Sequence, residues 1–336
     1  MSNTYLGLDI GMNAMKLAVV KDGRVLKLCM SALPEHLVRD GRITSPDALA
    51  EELHAVLRRE RINAKKCALV LSPEIAFVRR ITIPRMTAEQ LNMNLPYEFH
   101  DYIQKDKELY FYDYAVVRTT EDGKGEPGTM ELLAAAAPKE VIRDSRTMLR
   151  KAGLRLAVAV PEYLTYRNFV SAYESTHPNE HPREYCLVDM GHSAIRIHMY
   201  RDGVYDTSRV IEYGGVSLAA LIADSSSVDL HVAADYMVSN YKDVQELPAC
   251  RELYAKIAVE ILRAVNFYGF NTPDSDLRDF YFGGGLAKVK PLMDTIRDTL
   301  QLNIHPIEDL LPPGGDPDLA GLCPAAVGAA LEEVRR

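Results

Sequence analysis

Two periods trade places along the chain. Short continuous apolar runs, which suit buried strands, alternate with stretches where apolar residues recur every three or four positions, the spacing of one helix face. Residues 5–10 and 15–20 predict two strands around a tight turn, and a third run, 24–30, follows Asp22-Gly23, a hairpin pair. In SPDALAEELHAVLRRERI, the Ser45-Pro46 start is followed by Leu49, Leu53, Val56 and Leu57 on one face, which predicts a helix. KKCALVLS reads as a buried strand.

The texture then changes. AFVRRITIP alternates and ends on Pro84, and Thr87 to Gln90 form a capping-box pattern. Pro96 falls where that helix should be running, so the helix is expected to be interrupted or to begin late, with YEFHDYI as a short helix of its own. ELYFYDYAVV predicts a strand, EDGKGEPG a turn and MELLAAAAP a buried strand. KEVIRDSRTMLRKAG predicts a helix stopping at Gly153, LRLAVAVP a strand and EYLTYRNFVSAYES a helix. HPNEHPRE, with two prolines and no apolar residue, marks a domain boundary.

The second half restarts the first. An apolar strand, Asp189, a Gly191 turn, a second strand, Asp202-Gly203 and a third strand repeat the plan of Asp9, Gly11 and Asp22-Gly23. In both copies the glycine lies two residues after the acid and the hairpin Asp thirteen after it. One repeat at so long a spacing is not a solenoid; it predicts two similar lobes facing each other. Residues 216–276 read as mostly helical, DFYFGGGLAKVKPLMDTIRDTL as strand, triple-Gly turn and helix, and PAAVGAALEEVRR as a closing helix.

Composition narrows the class. The 336 residues are 47% hydrophobic and 26% charged, with a net charge of -8, a balance that suits two globular cores and speaks against broad nucleic-acid binding. Cys29, Cys67, Cys186, Cys250 and Cys323 make no Cys-x-x-Cys pair, so they read as buried thiols in a reducing compartment. No basic-then-apolar leader opens the chain, and no apolar run approaches the roughly 20 residues that span a bilayer. The expected place is the cytoplasm, with no direct membrane insertion.

Two Asp-x-Gly turns and a strand-Gly-Gly-Gly-helix junction suit a nucleotide with Mg²⁺. Backbone N–H groups in a tight Gly turn cradle phosphate oxygens, and Gly permits the close approach. Asp9 and Asp189, one per turn, can hold the waters of a Mg²⁺; Lys16 can neutralise phosphate charge; Gly283, Gly284 and Gly285 bring a helix N-terminus against adenine or phosphate. Facing lobes would gather all three turns in one cleft. Each piece alone is common. Their order, with the two acids 180 residues apart, is not. Nine histidines without metal-ligand spacing suggest no metal beyond Mg²⁺.

These residues resemble the actin/sugar-kinase/Hsp70 ATPase superfamily: LGLDIGMNAMKLAVV and CLVDMGHSAIRIHMY its two phosphate motifs, FYFGGGLAKVKPL its adenosine motif, VPEYLTYRNFV and PAAVGAAL its connecting helices. Within it the chain is similar to the PilM family of type IV pilus assembly, relatives of the division protein FtsA. YEFHDYI, ELLAAAAPKEVIRDSRTMLRKAGL, IEYGGVSLAALIA and EILRAVNFYGF carry that likeness, which covers nearly the whole chain in order. It implies an α/β, actin-like ATPase fold of two RNase H-like lobes. The first lobe would be 1–76 with 154–182, carrying an inserted small α+β subdomain at 77–153; the second would be 183–222 with 277–336, carrying a helical subdomain at 223–276.

The resemblance also implies roles. Gly11, Asn13, Gly191 and Ser193 join the two acids, Lys16 and the three junction glycines as nucleotide ligands. Glu162, opening the first connecting helix, would position an attacking water or act only as a helix-start carboxylate. Glu260 and Arg263 would edge the adenosine or form an ordinary surface pair. The family takes up a short cytoplasmic peptide of the membrane protein PilN beside the inserted subdomain; here Arg79, Arg80, Tyr97, Phe99, Tyr102 and Ile103 are the candidates, the alternative being that the aromatics fill the subdomain core. The first turn departs from the family: Met12-Asn13-Ala14-Met15 replaces small hydroxyl residues, and His192-Ser193-Ala194-Ile195 keeps one hydroxyl. Gln104 stands where the family has a proline. The expected function is an ATP-binding assembly scaffold with slow or no hydrolysis, peripheral to the membrane through a partner and open to self-association. The runners-up are an FtsA-like filament protein, which usually ends in a basic amphipathic helix where this chain reads LEEVRR, a small-molecule kinase, and a nucleotide-free pseudo-ATPase.

Overall fold

The computed structural model describes residues 4–39, 41–121, 128–178 and 181–331. The expectations for 122–127 in the EDGKGEPG turn, for Asn179 and Glu180 in the boundary segment, and for 332–336 in the closing helix fall outside these residues. The chain forms two compact units, Met1–Phe169 with Pro312–Gly315 and Ala325–Arg336, and Val170–Leu311 with Asp316–Pro324.

The first unit opens with β1 (Thr4–Ile10), β2 (Ala14–Lys21) and β3 (Arg24–Ala32), paired antiparallel in sequence. A short ladder, β4 (Val38–Arg39) with β5 (Arg42–Ile43), leads to α1 (Pro46–Arg59), whose Leu49, Leu53, Val56 and Leu57 are buried as the periodicity predicts. β6 (Lys66–Leu71) then pairs with β1 in parallel. Next come the insertion, β7 (Phe77–Pro84), α2 (Ala88–Glu98), β8 (Tyr110–Thr119) and β9 (Thr129–Pro138), and after it α3 (Lys139–Lys151), β10 (Arg155–Pro161) and α4 (Glu162–Thr176), whose residues from Val170 on belong to the second unit. The main sheet has the order β10-β6-β1-β2-β3, and the insertion has its own sheet, β7-β9-β8.

Three expectations change here. α2 begins on time at the Thr87–Gln90 capping box, formed with both reciprocal bonds, and runs through Pro96, which lies in its last turn. There a missing N–H costs one bond and breaks nothing downstream. YEFHDYI is therefore the end of α2 and the turn after it. Leu91, Leu95, Phe99 and Ile103, four residues apart, pack with Ile81, Ile83 and Leu132 in the insertion's core. α3 lies against α1 and gives Met148 and Leu149 to the main core, so the part of 77–153 with a core of its own ends at β9.

The second unit contains β11 (Glu184–Met190), β12 (Ile195–Arg201), β13 (Val204–Ile211), α5 (Gly215–Ser226), α6 (Leu230–Ser239), α7 (Pro248–Asn271), β14 (Asp279–Gly283), α8 (Lys290–Leu300), β15 (Asn303–Pro306) and α9 (Pro317–Ala320). Its sheet order, β13-β12-β11-β14-β15, repeats the winding of the first: an antiparallel triplet with two parallel strands beside its first member. The repeat extends to detail. Asp22-Gly23 and Asp202-Gly203 both have positive φ at both turn residues, as a type I′ hairpin requires. The register slips at Val19/Val20 and again at Met199/Tyr200, 180 residues on. The closing helix, α10 (Pro324–Ala330), packs almost wholly in the first unit, not in the second lobe as 277–336 was expected to. A Cβ on Gly7 of β1 would stand 1.8 Å from the Ala326 carbonyl oxygen, and one on Gly328 1.9 Å from that of Thr165. Only glycine allows the backbones to approach so closely.

Candidate functional site

In the first unit Asp9 and Lys16 are cross-strand partners, and the lysine Nζ lies 3.4 Å from the carboxylate Oδ2. The acid within an apolar strand is thus stabilised by a cation on the neighbouring strand. Between them the Gly11 N–H donates to the Ala14 carbonyl at 3.0 Å and closes the turn. Asn13 is exposed on it, as is Met12.

The second unit builds the same turn more firmly. The Gly191 N–H donates to the Ala194 carbonyl at 3.1 Å, and Asp189 is buried to 8% exposure. The residue opposite Asp189 on β12 is Arg196, the positional counterpart of Lys16. Both basic residues follow their acid by seven positions, a spacing in the sequence that marks Arg196 as well as Lys16. At the start of α5 the Gly215 and Val216 N–H groups donate to the Gly191 and His192 carbonyls at 3.1 and 2.9 Å. YGG in the IEYGG segment thus has a physical task, bracing the turn that carries Ser193.

β11 and β14 pair in parallel with Asp189 beside Gly283, which brings the acid turn to the triple glycine. Gly284 has φ 89° and ψ 173° and donates its N–H to the Gly321 carbonyl at 2.7 Å. A Cβ there would stand 2.5 Å from the Met190 carbonyl oxygen and 2.8 Å from Asp189 Oδ1. A carboxylate oxygen of Asp189 thus sits close to bare backbone. Gly285 faces open space. The junction continues into a 3₁₀ turn over Gly285–Lys288, and α8 starts only at Lys290, so the helix N-terminus does not adjoin the glycines as expected. Gly283, Gly284, Lys288, Lys290, Arg297 and His305 help line a cavity of about 430 Å³.

Of the other candidates, Glu162 is buried at the start of α4, where its carbonyl accepts from Thr165 Oγ1 at 2.7 Å. Glu260 and Arg263 pair with each other one turn apart on α7, with the arginine side chain 70% exposed. In the insertion Phe99 is wholly buried and Ile103 nearly so; both belong to its core and are withdrawn from any surface wall. Tyr97 and Tyr102 remain exposed, each under a cation: Lys107 Nζ is 3.7 Å from the Tyr97 ring centre and the Arg79 guanidinium 3.8 Å from that of Tyr102. Arg79 also donates to the Glu98 carbonyl at 2.6 Å, holding the end of α2, while Arg80 pairs with Glu131. Among the described residues no three His, Cys, Asp or Glu side chains gather as a metal cage.

Two copies of one five-stranded winding, each with an acid-glycine turn after its first strand, define an actin-like ATPase fold, and proteins of that fold bind nucleotide. The chain belongs to the family of the Type IV pilus assembly protein PilM, whose model matches residues 7–310. Among solved structures it is similar to the PilM-PilN type IV pilus biogenesis complex at 24% identity and TM-score 0.82, over 97% of each chain. It is also similar to the ethanolamine utilization protein EutJ from Carboxydothermus hydrogenoformans at 15% identity and TM-score 0.59, over 96% of this chain and 88% of that one. Comparison with curated proteins finds no significant match. Among the described residues no single helix is long and apolar enough to cross a membrane.

Proposed function

We propose that this pilus-assembly protein is an ATP-binding cytoplasmic scaffold whose nucleotide sets the surfaces it offers to partners, with slow or no hydrolysis. The observation that carries the reading is the acid-glycine turn, repeated down to its closing hydrogen bond in both units of a PilM-family chain. Asp189, Gly191, Ser193, Arg196 and the Gly283–Gly285 junction are the second unit's contribution to phosphate and adenosine; Asp9, Gly11, Asn13 and Lys16 are the first unit's. Bound Mg²⁺ would neutralise phosphate charge through waters held by Asp9 and Asp189. Glu260 and Arg263 would edge the nucleotide, and Glu162 would orient a water. Slow turnover follows from the first turn, where Met12, Ala14 and Met15 offer no side-chain donor and Asn13 alone remains.

The partner reading is a PilN-like membrane protein, bound by a short peptide at the inserted subdomain and holding the chain at the membrane. A solved PilM-PilN complex has this fold, and Arg80, Tyr97 and Tyr102, with Arg79 stacked over Tyr102, are the groups there that suit such a partner. Calorimetry of MgATP binding tests the first half: no heat and no rise in melting temperature at saturating MgATP defeats it. Recovery of a PilN-like N-terminal peptide tests the second. Tyr97→Ala with Tyr102→Ala should lower recovery while the fold is kept, and unchanged recovery rules this surface out.

A further inference from the structure

One end of the first unit's sheet is a row of cations. β1, β6 and β10 are parallel and β2 is antiparallel to β1, so their register brings the starts of β1, β6 and β10, the end of β2 and the start of β3 to a single edge. That edge carries Arg24 and Lys21 at the β2–β3 hairpin, Lys65 and Lys66 entering β6, and Arg155 opening β10, whose N–H donates to the Lys65 carbonyl at 2.8 Å. Five strands make a row about 19 Å long. The loop feeding β6, RRERINAKK, adds Arg58, Arg59 and Arg61. Only two acids stand among these segments: Asp22, and Glu60, which pairs with Lys27 and Arg59. Lys21, Arg24, Arg58, Arg61, Lys65 and Arg155 are exposed.

Helix dipoles account for part of this. Arg58 and Arg59 sit in the last turn of α1, where cations are favoured. The dipole does not explain the strand ends, nor Arg61. That arginine occupies the left-handed position that ends α1, at φ 54°. Its own N–H bonds to the Arg58 carbonyl and that of Ile62 to the Leu57 carbonyl, a closure that normally takes glycine. α3 ends by the same two bonds and does use glycine, Gly153. The second unit gives the other control. The same end of its sheet has Glu184 opening β11, Asp279 opening β14 and Asn303 opening β15. Arg201 there is paired with Glu184 and Asp274, and Arg183 with Asp202. The winding itself therefore does not demand a basic edge. It is lost from view in a chain of net charge -8. It also lies at the far end of β1 from the Gly11 turn, about 20 Å away.

We propose that this edge rests on an anionic lipid surface, a contact separate from nucleotide and from peptide. A bilayer of anionic headgroups needs like charges spread over one exposed edge and no groove, and each Lys or Arg near it adds to binding. Cations at the ends of β2, β3, β6 and β10 supply this without apolar insertion.

The test is flotation of the full chain with vesicles of phosphatidylcholine alone and of equal parts phosphatidylcholine and phosphatidylglycerol. Binding is expected only to the anionic vesicles and should fade with added salt. Lys21→Gln, Arg24→Gln and Lys65→Gln together should weaken it on the order of a hundredfold at an unchanged melting temperature. Arg61→Gly guards against a folding artefact: glycine suits that backbone, so stability should hold or rise while vesicle binding falls about fivefold. Binding to neutral vesicles, equal binding by the triple variant, or a row that captures polyglutamate or RNA but not anionic vesicles would overturn the proposal.

Discussion

Gly284→Ala is the most informative single change. Its φ and ψ of 89° and 173° lie in a region that is essentially glycine's alone, at a cost of about 1–3 kcal/mol for any other residue. The new methyl would also meet the Met190 carbonyl oxygen at 2.5 Å and Asp189 Oδ1 at 2.8 Å. Neither is a flexible side-chain tip that can swing clear: one is backbone, and the other is a buried carboxylate. Relieving such overpacking typically costs about 1–3 kcal/mol. Allowing for relaxation that serves both, the loss is about 3 kcal/mol, a fall in melting temperature of about 6–12 °C. The neighbours calibrate it. A Cβ on Gly285 meets nothing within 4 Å, so Gly285→Ala should stay within about 0.5 kcal/mol of the parent. Gly283→Ala meets Ile307 Cγ2 at 2.6 Å and should fall between them. Scanning calorimetry of the three variants reads this order directly. Gly285→Ala falling as far as Gly284→Ala, or Gly284→Ala melting like the parent, would refute this account of the junction. Because the methyl displaces the Asp189 carboxylate, the same variant should also lose most of the stabilisation by MgATP, about 2.7 kcal/mol at a hundredfold excess over Kd in the parent.

Asp9→Ala should narrow the gap between stabilisation by MgATP and by ATP with chelator, measured by thermal shift; an unchanged gap removes Asp9 from the metal. Steady-state turnover should stay below about 1 s⁻¹, the lower end for ordinary enzymes, and fast phosphorylation of a sugar would favour the kinase alternative. Phe99→Ala should cost about 3–5 kcal/mol in urea unfolding, whereas Tyr97→Ala, at a side chain 62% exposed, should cost less than about 0.5 kcal/mol. All five cysteines are buried thiols outside any disulfide, and burial pushes the Cys250 thiol up to about 11. Titration with a disulfide reagent at pH 8 should therefore find the buried native thiols slow to react, and five reactive ones after denaturation; rapid native labelling would contradict the packing.

Much of the fold was legible because it is written twice. The acid, the glycine and the hairpin pair recur at fixed steps, and hydrophobic period separates α1 from β6 without outside help. What escaped the sequence depended on partners distant in the chain. Pro96 reads as a helix breaker, but its damage depends on how many turns follow, and α2 ends two residues later at Glu98. Phe99 and Tyr97 look alike on paper; the four-residue ladder from Leu91 sends the first inward and leaves the second out. The resemblance puts α10 in the second lobe with 277–336, whereas Gly7 and Gly328, more than 300 residues apart, decide its place by backbone approach.

The repeat also works as an internal experiment, since one backbone carries two sets of side chains. Both copies close the turn with the same hydrogen bond and place a cation opposite the acid, so those features belong to the shared task. The differences then belong to each unit. Only the second turn is braced by a helix start and backed by Gly284, and its acid is the more buried, which makes it the more firmly fixed of the two turns. The first turn keeps its acid against Lys16 but has traded hydroxyls for methionine and alanine, so it retains charge and geometry while giving up donors. Holding a nucleotide requires the features both copies keep. Cleaving it quickly would call on hydroxyl donors, and only the second turn has one, Ser193, while the first has the Asn13 amide; that imbalance, on an otherwise duplicated frame, is the physical case for the proposal that the protein binds to switch and seldom turns over.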